Sequence, residues 1–247
     1  MKIDVGLIGS GTWGTKIKFN LKKIANLKFI CNSSQNYLNE IKKNKVKWVF
    51  IATPNKTHYE IVKNCLNKEI NVYCEKPLCL SHAKAKILVE LSKKKNVKLY
   101  VSDLYDFYSK KIKKLNLTNT VYRSKLVKGP DLEFINRFMY HDINIFYKFL
   151  TKYKIRLCTF RSNKKKKIFE TKIEFTNNKN INFIYNLNLN LKKHTINNIN
   201  IRSKNDYLNK MIYNVLYDKY DISKNNIKAL FIIDYLTLIK KRIKYAN

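Results

Sequence analysis

Two short stretches carry residue types that could do chemistry. The first is Gly9-Ser10-Gly11-Thr12-Trp13-Gly14, which follows an apolar run (Ile3 to Ile8) and opens a helical one. The chain holds only five glycines, and four of them are Gly6, Gly9, Gly11 and Gly14. A strand, G-x-G-x-x-G and a helix in that order form the fingerprint of a dinucleotide-binding unit. The glycines allow a tight turn, a close backbone approach to a pyrophosphate and close helix packing, and the helix N-terminus points free N–H groups at the phosphates. The second stretch is Cys74-Glu75-Lys76-Pro77-Leu78. A residue before proline is pushed out of the helical region, so Lys76 is expected to stand extended at the carboxyl end of a strand, where open α/β sheets bind ligands. An ordinary lysine has a pKa of about 10.4, so at neutral pH it can donate a proton. The competing reading is a surface lysine in a lysine-rich chain.

The elements that must position these residues can be read in order. Ile17, Leu21 and Ile24 recur at helical spacing after Gly14. A strand at Leu27–Cys31 ends in Asn32-Ser33-Ser34, where an NAD-binding unit usually places an acid on the ribose 2′-hydroxyl. No acid stands there. Small hydroxyl and amide side chains amid lysines fit a 2′-phosphate, which favours NADP over NAD; a site that discriminates poorly is the alternative. A helical patch (Tyr37–Lys45) and a buried strand (Val46–Ile51) follow, and the strand ends in Ala52-Thr53-Pro54-Asn55. Thr57 and Glu60 read as a capping box for the next helix. Strand Ile70–Cys74 then leads into Glu75-Lys76-Pro77. Ser81 caps a helix with Ile87, Leu88 and Leu91 on its inner side, and strand Lys98–Ser102 closes the unit. A full Rossmann half has room for one more helix and strand, so this one is abbreviated.

Gly9–Gly14, Ala52-Thr53-Pro54-Asn55 with His58, and Cys74-Glu75-Lys76-Pro77-Leu78 together resemble the Gfo/Idh/MocA family, the glucose–fructose oxidoreductase and inositol dehydrogenase group. The resemblance implies an NAD(P)-dependent dehydrogenase or reductase that moves hydride between nicotinamide and a carbinol or keto carbon of a sugar, cyclitol or sugar nucleotide. It implies cofactor contacts at Gly9, Gly11, Thr12, Trp13, Asn32, Ser33, Thr53, Pro54, Asn55, Glu75 and Lys76, with His58 beneath the cofactor and Lys76 catalytic. Tyr140-His141-Asp142-Ile143 resembles the family's third motif, whose histidine faces the substrate four residues after an aspartate. Here Arg137 stands in that earlier place. His141 survives as a catalytic candidate beside its other reading, a satisfied helix histidine. His82 and His194 carry no case.

From about Leu117 the texture changes to strands, which divides the chain into a dinucleotide-binding domain (1–116) and an α+β domain (117–247). The second domain reads as strand Thr120–Val127, a turn at Gly129-Pro130 and helix Phe134–Leu150. Next come a strand with Phe169, Thr171, Ile173 and Phe175 inward, a turn at Asn177–Asn180, a strand at Asn186–Leu191, a strand at Thr195–Ile201 and a closing helix at Ile227–Ile243. The resemblance implies a mostly antiparallel sheet whose open face holds substrate or another subunit, hence a homo-oligomer.

Composition narrows the alternatives. No run of 18 apolar residues is present, so no membrane span is expected. The start lacks the apolar core of a signal peptide, and five scattered cysteines without metal-type spacing fit a reducing cytoplasm and no metal site. The formal net charge of +34 raises the rival of a basic nucleic-acid-binding protein, but only six of the 51 basic residues are arginine. Base and phosphate readers lean on the arginine fork, and lysines spread over every element read as a solvated surface. A fold-retaining protein that binds nucleotide without turnover is the second rival. Binding to nucleic acid near physiological salt should therefore be about micromolar or weaker and without sequence preference. Tight, sequence-selective shifts in a gel series at that salt would reverse this reading.

Overall fold

The computed structural model describes residues 2–107, 118–126, 135–201 and 207–245. Contacts divide the chain into two units: Met1–Phe107 with Asp206–Ile233, and Tyr108–Asn205 with Asp234–Asn247. The division at residues 116 and 117 expected from chain order lies outside the described residues, and it gives the first unit too little. The segment 206–233 belongs with that unit because its apolar helix face completes the first core.

In the first unit, five parallel strands run β1 (Asp4–Ile8), β2 (Asn26–Cys31), β3 (Trp48–Ile51), β4 (Asn71–Cys74) and β5 (Leu99–Val101). Their order in the sheet is β2-β1-β3-β4-β5. Four helices alternate with them: α1 (Thr12–Ile24), α2 (Tyr37–Lys43), α3 (His58–Asn67) and α4 (His82–Lys94). This is the doubly wound pattern expected, and among the described residues it ends at β2, where the six-stranded order has one more strand. Phe50 pairs with Tyr73 and Tyr73 with Tyr100 in register, and their rings stack at 4.8 and 5.5 Å. Ile17 and Leu21 of α1 join this aromatic ladder in one buried cluster.

Two local expectations fail. Thr57 does not accept a cap hydrogen bond. A short 3-10 turn at Asn55–Thr57 precedes the helix, which leaves Thr57 in helical geometry, and its hydroxyl instead donates back to Pro54 O at 2.8 Å and lies 2.8 Å from Thr53 Oγ1, whose hydroxyl can donate to it. On α4 the buried face is Ala85, Leu88, Val89 and Ser92, and Ile87 is exposed. Ser81 does cap that helix, accepting from Lys84 N.

The second unit contains β6 (Asn119–Ser124), a π-helical turn (Ile135–Met139) and α5 (Tyr140–Lys152), then β7 (Ile155–Asn163), β8 (Ile168–Phe175), β9 (Asn180–Asn186), β10 (Lys193–Ile196) and β11 (Ile199–Asn200). The sheet order is β11-β10-β6-β9-β8-β7. Only β6 and β9 pair in parallel; the other neighbours are antiparallel. Val127, the Gly129-Pro130 turn and Phe134 lie outside the described residues. Phe169, Thr171, Ile173 and Phe175 face inward, as their alternation requires, and Asn178 turns the following hairpin at φ 60°.

Asn186–Leu191 is not a strand. The strand is the preceding Asn180–Asn186; Asn186 Oδ1 accepts from Asn188 N, and a side chain that bonds its own backbone two residues on makes a turn. Thr195–Ile201 is not one strand either. Asn197 and Asn198, at φ 47° and 65°, fold it into a tight hairpin between β10 and β11, the two-residue turn that asparagine tolerates.

Two helices complete the chain, α6 (Tyr207–Leu216) and α7 (Ile222–Tyr245). No strand or helix was expected from the sequence at α6 or β7. Leu208, Met211, Ile212, Val215 and Leu216 of α6 enter the cluster of the aromatic ladder. The N-terminal part of α7 closes the β5 edge: Asn225 accepts from Val101 N at 2.8 Å and donates to Val101 O at 2.9 Å, mimicking a neighbouring strand. None of the described helices is long and apolar enough to cross a membrane. An Asn225→Leu variant leaves two buried backbone groups unpaired, so it should lose about 2–4 kcal/mol, read as a lower urea midpoint at unchanged slope. A shift no larger than that of Asn225→Gln would show that water repairs the edge.

Candidate functional site

At four of the five strand ends on the carboxyl edge of the parallel sheet, the first residue of the loop still takes part in the ladder. Gly9 N donates to Cys31 O, Ala52 N to Ile8 O, Glu75 N to Ile51 O and Ser102 N to Cys74 O, all at 2.8 Å. Four loops are thereby fixed side by side, and nearly every residue singled out in the first domain sits on one of them.

At the β1 loop the glycines divide into two kinds. Gly9 has φ +106°, and a Cβ there would lie 2.5 Å from Ala52 O; one on Gly14 would lie 2.0 Å from Gly9 O. These two glycines let helix and strands close on one another. Gly11 is different: a Cβ there would meet nothing within 4 Å. It begins α1 with no side-chain cap, and no acidic residue stands in the first turn. Thr12 and Trp13 are exposed beside it, and Lys16 Nζ lies 4.9 Å from the Trp13 ring centre. The result is an open helix N-terminus with the chemistry for an anion. At the end of β2, Asn32 Oδ1 accepts from Ser34 N and Ser34 Oγ. No carboxylate occupies the Asn32–Ser34 turn, and Ser33 is exposed.

His58 is buried and spans two of the loops. Its Nδ1 lies 2.8 Å from Pro77 O and its Nε2 2.9 Å from Thr53 O. Burial lowers its pKa, against the opposing pull of those two carbonyls. The ring ties the Thr53-Pro54-Asn55 loop to the Glu75-Lys76-Pro77 loop. Lys76 itself is half-buried, and the Lys76–Pro77 peptide is cis. Glu75 lies beneath it, buried, with Tyr73 OH 3.4 Å from its Oε1 and 3.0 Å from Ser102 Oγ. Burial raises the Glu75 pKa, partly offset by Lys76 and Ser102. Tyr73 and Ser102 were not singled out in the sequence; Ser102 lies on the neighbouring strand end, which only the register reveals.

His141 belongs to the second unit. It is half-buried on α5, edge-on to the Tyr140 ring at 6.2 Å. The residue beside it, Asp142, has more visible partners. It is fully buried, and Oδ1 accepts from Arg123 Nε at 3.0 Å, Arg123 Nη2 at 2.9 Å and His194 Nε2 at 2.8 Å, while Oδ2 accepts from Tyr185 OH at 2.9 Å. Burial would raise its pKa, but Arg123 and His194 hold it below the ordinary carboxylate range. His194 therefore has a role that the sequence did not suggest. Arg137, in the π-helical turn, has its guanidinium 5.8 Å from the Phe138 ring centre, and Arg123 lies at the same distance. Among the described residues no group of three His, Cys, Asp or Glu could hold a metal ion.

Residues 17–103 match the family model described as "Oxidoreductase family, NAD-binding Rossmann fold", that of the Gfo/Idh/MocA proteins. Oxidoreductase P35 of Formosa agariphila is 37% identical over 78 residues, 32% of this chain and 24% of that protein. The matched segment thus spans about a quarter of that relative's length. Two solved structures share the fold over nearly the whole chain. UDP-N-acetylglucosamine 3-dehydrogenase GnnA of Acidithiobacillus ferrooxidans has a TM-score of 0.79 at 14% identity, covering 100% of this chain and 99% of that one. GenD2 from gentamicin A biosynthesis, solved in complex with NAD, has a TM-score of 0.79 at 13% identity, covering 98% and 94%. Residues 17–103 thus resemble the Gfo/Idh/MocA oxidoreductases, and the chain has the fold of these two solved structures.

The glycines make a discriminating test. Gly14→Ala should destabilise the protein, since the new methyl meets a backbone carbonyl. Gly11→Val should unfold within a few degrees of the parent and yet lose dinucleotide binding in calorimetric titration with NADH and NADPH. Unchanged affinity in Gly11→Val would remove Gly11 from the cofactor site.

Proposed function

We propose that the protein is an NAD(P)-dependent oxidoreductase acting on a carbinol or keto carbon of a sugar, cyclitol or sugar nucleotide. The observation that carries this reading is the open cradle at Gly11, aligned on one sheet edge with the loop that holds Lys76. A pyrophosphate fits where a Cβ would otherwise stand, and the uncapped N-terminus of α1 supplies N–H donors. Gly9, Gly11, Thr12 and Trp13 would hold the phosphates. Asn32 and Ser33 would meet the adenosine ribose, and the absence of a carboxylate favours NADP over NAD. Thr53, Pro54 and Asn55 would line the path to the nicotinamide end, with His58 fixing their loop to that of Glu75 and Lys76.

The bound nicotinamide supplies or accepts the hydride. Lys76 handles the proton. When a carbonyl is reduced, its oxygen gains negative charge as hydride reaches the carbon, and an ammonium at Lys76 stabilises that oxygen and then gives it a proton. In oxidation the hydroxyl proton returns to a neutral Lys76 as the C–H electron pair departs. Buried Glu75, hydrogen-bonded through Tyr73 and Ser102, holds the loop from below. His141 would orient the substrate hydroxyl, and Asp142 keeps the helix that carries it anchored to β6, β9 and β10 through Arg123, Tyr185 and His194.

The half-buried strand faces that carry Glu170, Lys172 and Glu174 on β8 and Ile184 on β9 support association with a second copy. Five free cysteines, four of them buried, support a reducing compartment such as the cytoplasm. A second reading, dinucleotide binding without turnover, is favoured by one observation: Arg137 stands where the family motif has its aspartate.

Lys76→Met should lower turnover by about two to four orders of magnitude, the scale of a general acid–base residue, and leave NADPH affinity nearly unchanged. His141→Ala should cost less. The readout is cofactor absorbance across a panel of sugars, cyclitols and sugar nucleotides. Substantial turnover in Lys76→Met would place the proton transfer elsewhere, and dinucleotide binding with no turnover on any of the panel would favour the second reading.

A further inference from the structure

The six-stranded dinucleotide-binding order carries another strand outside β2, whereas the five-stranded order ends at that edge. Here β2 is the edge, and the two edges of the sheet differ. Asn225 pairs the outer edge of β5; among the described residues no strand and no side chain does the same for β2. Beside β2 runs a groove of about 1500 Å³. Leu27, Phe29 and Ile30 of β2, with Ile41, Val46 and Ile70, supply its apolar lining. Around them stand Lys22, Lys42, Lys45, Lys47 and Lys68, all exposed. Only two carboxylates line the groove, and both are engaged: Asp4 with Lys28 at 3.6 Å and Glu69 with Lys95 at 3.3 Å. None of the five lysines has a carboxylate within ion-pair distance among the described residues.

We propose that this groove docks an acidic polypeptide segment in extended conformation, which adds to β2 as the strand the sheet lacks. An unpaired edge offers main-chain donors and acceptors, and strand addition takes its affinity from them and its specificity from alternate side chains. Apolar side chains of the incoming segment would enter the groove, and the intervening acidic ones would meet the lysines. A second copy of this chain is a poor occupant. In an edge-to-edge pairing of two β2 strands the same lysines would face each other, a device that keeps bare edges from pairing. The site lies at the opposite end of the strands from the Gly11 and Lys76 loops, so the proposal stands whether or not the protein turns substrate over.

The probe is a fluorescent, end-capped peptide of about eight residues alternating glutamate and valine, a typical strand length. Two controls carry the same charge: the peptide with prolines in place of its two inner valines and a single-stranded oligonucleotide. Saturable binding by anisotropy is expected, with slower hydrogen exchange in residues 26–31. The proline peptide and the exposed-site double variant Lys42→Glu/Lys45→Glu should each bind about tenfold more weakly, the variant keeping its thermal midpoint; Lys68→Glu gives an independent charge reversal. No saturable binding would overturn the proposal, as would equal binding of the proline peptide. An oligonucleotide as tight as the peptide, or unchanged exchange in β2, would reduce the groove to diffuse charge attraction and equally overturn it.

Discussion

The architecture of the first unit depends on one close approach. Gly14 of α1 rests on the carbonyl of Gly9, and Gly9 rests on the carbonyl of Ala52 at the end of β3. No residue with a Cβ can stand at either place without moving backbone. Because those contacts are direct, α1 starts close to the ends of β1 and β3, and its N-terminus opens on the line where the β2, β3 and β4 loops also emerge. Ile17 and Leu21 then meet the aromatic ladder at fixed height. The open helix N-terminus is a by-product of the same contact, since the turn that brings Gly9 and Gly14 together leaves Gly11 facing open space. In a chain with five glycines, these positions are where substitution is least tolerable.

The second unit is organised around a buried charge. Asp142 loses its hydration entirely and recovers it as four hydrogen bonds from three side chains. Such an arrangement is stable only while complete, because one missing partner leaves a buried charge under-satisfied. It also links α5 to three strands, β6 through Arg123, β9 through Tyr185 and β10 through His194. A hydrophobic helix face alone can slide by a turn against a sheet; a carboxylate with fixed partners on three strands cannot.

Much of the first unit was legible because its signals are local. Glycine spacing, the strand ends at Thr53-Pro54 and Lys76-Pro77, and the apolar periods of α1 and α3 each occupy a few adjacent residues. The failures were of another kind. Asn186–Leu191 alternates as a strand does, but the asparagine side chain competes with the ladder and turns the chain. The edge strand β7 is mostly exposed on both faces, so no alternation marks it. His194 and Asp142 lie 52 residues apart, and no local pattern predicts their pairing. The strand register that brings Ser102 to Tyr73 is likewise a property of the folded sheet.

The discontinuity of the first unit has a consequence for biosynthesis. The core built on the aromatic ladder includes five side chains of α6, and Asn225 pairs its β5 edge. A nascent chain that has emerged as far as residue 107 holds all five parallel strands but exposes Trp48, Phe50, Tyr73 and Tyr100 on a face it cannot yet cover. The ribosome must deliver the whole second sheet before the first core can close at Ile233, and only then the last segment of the second unit, so each unit waits on the other to be made.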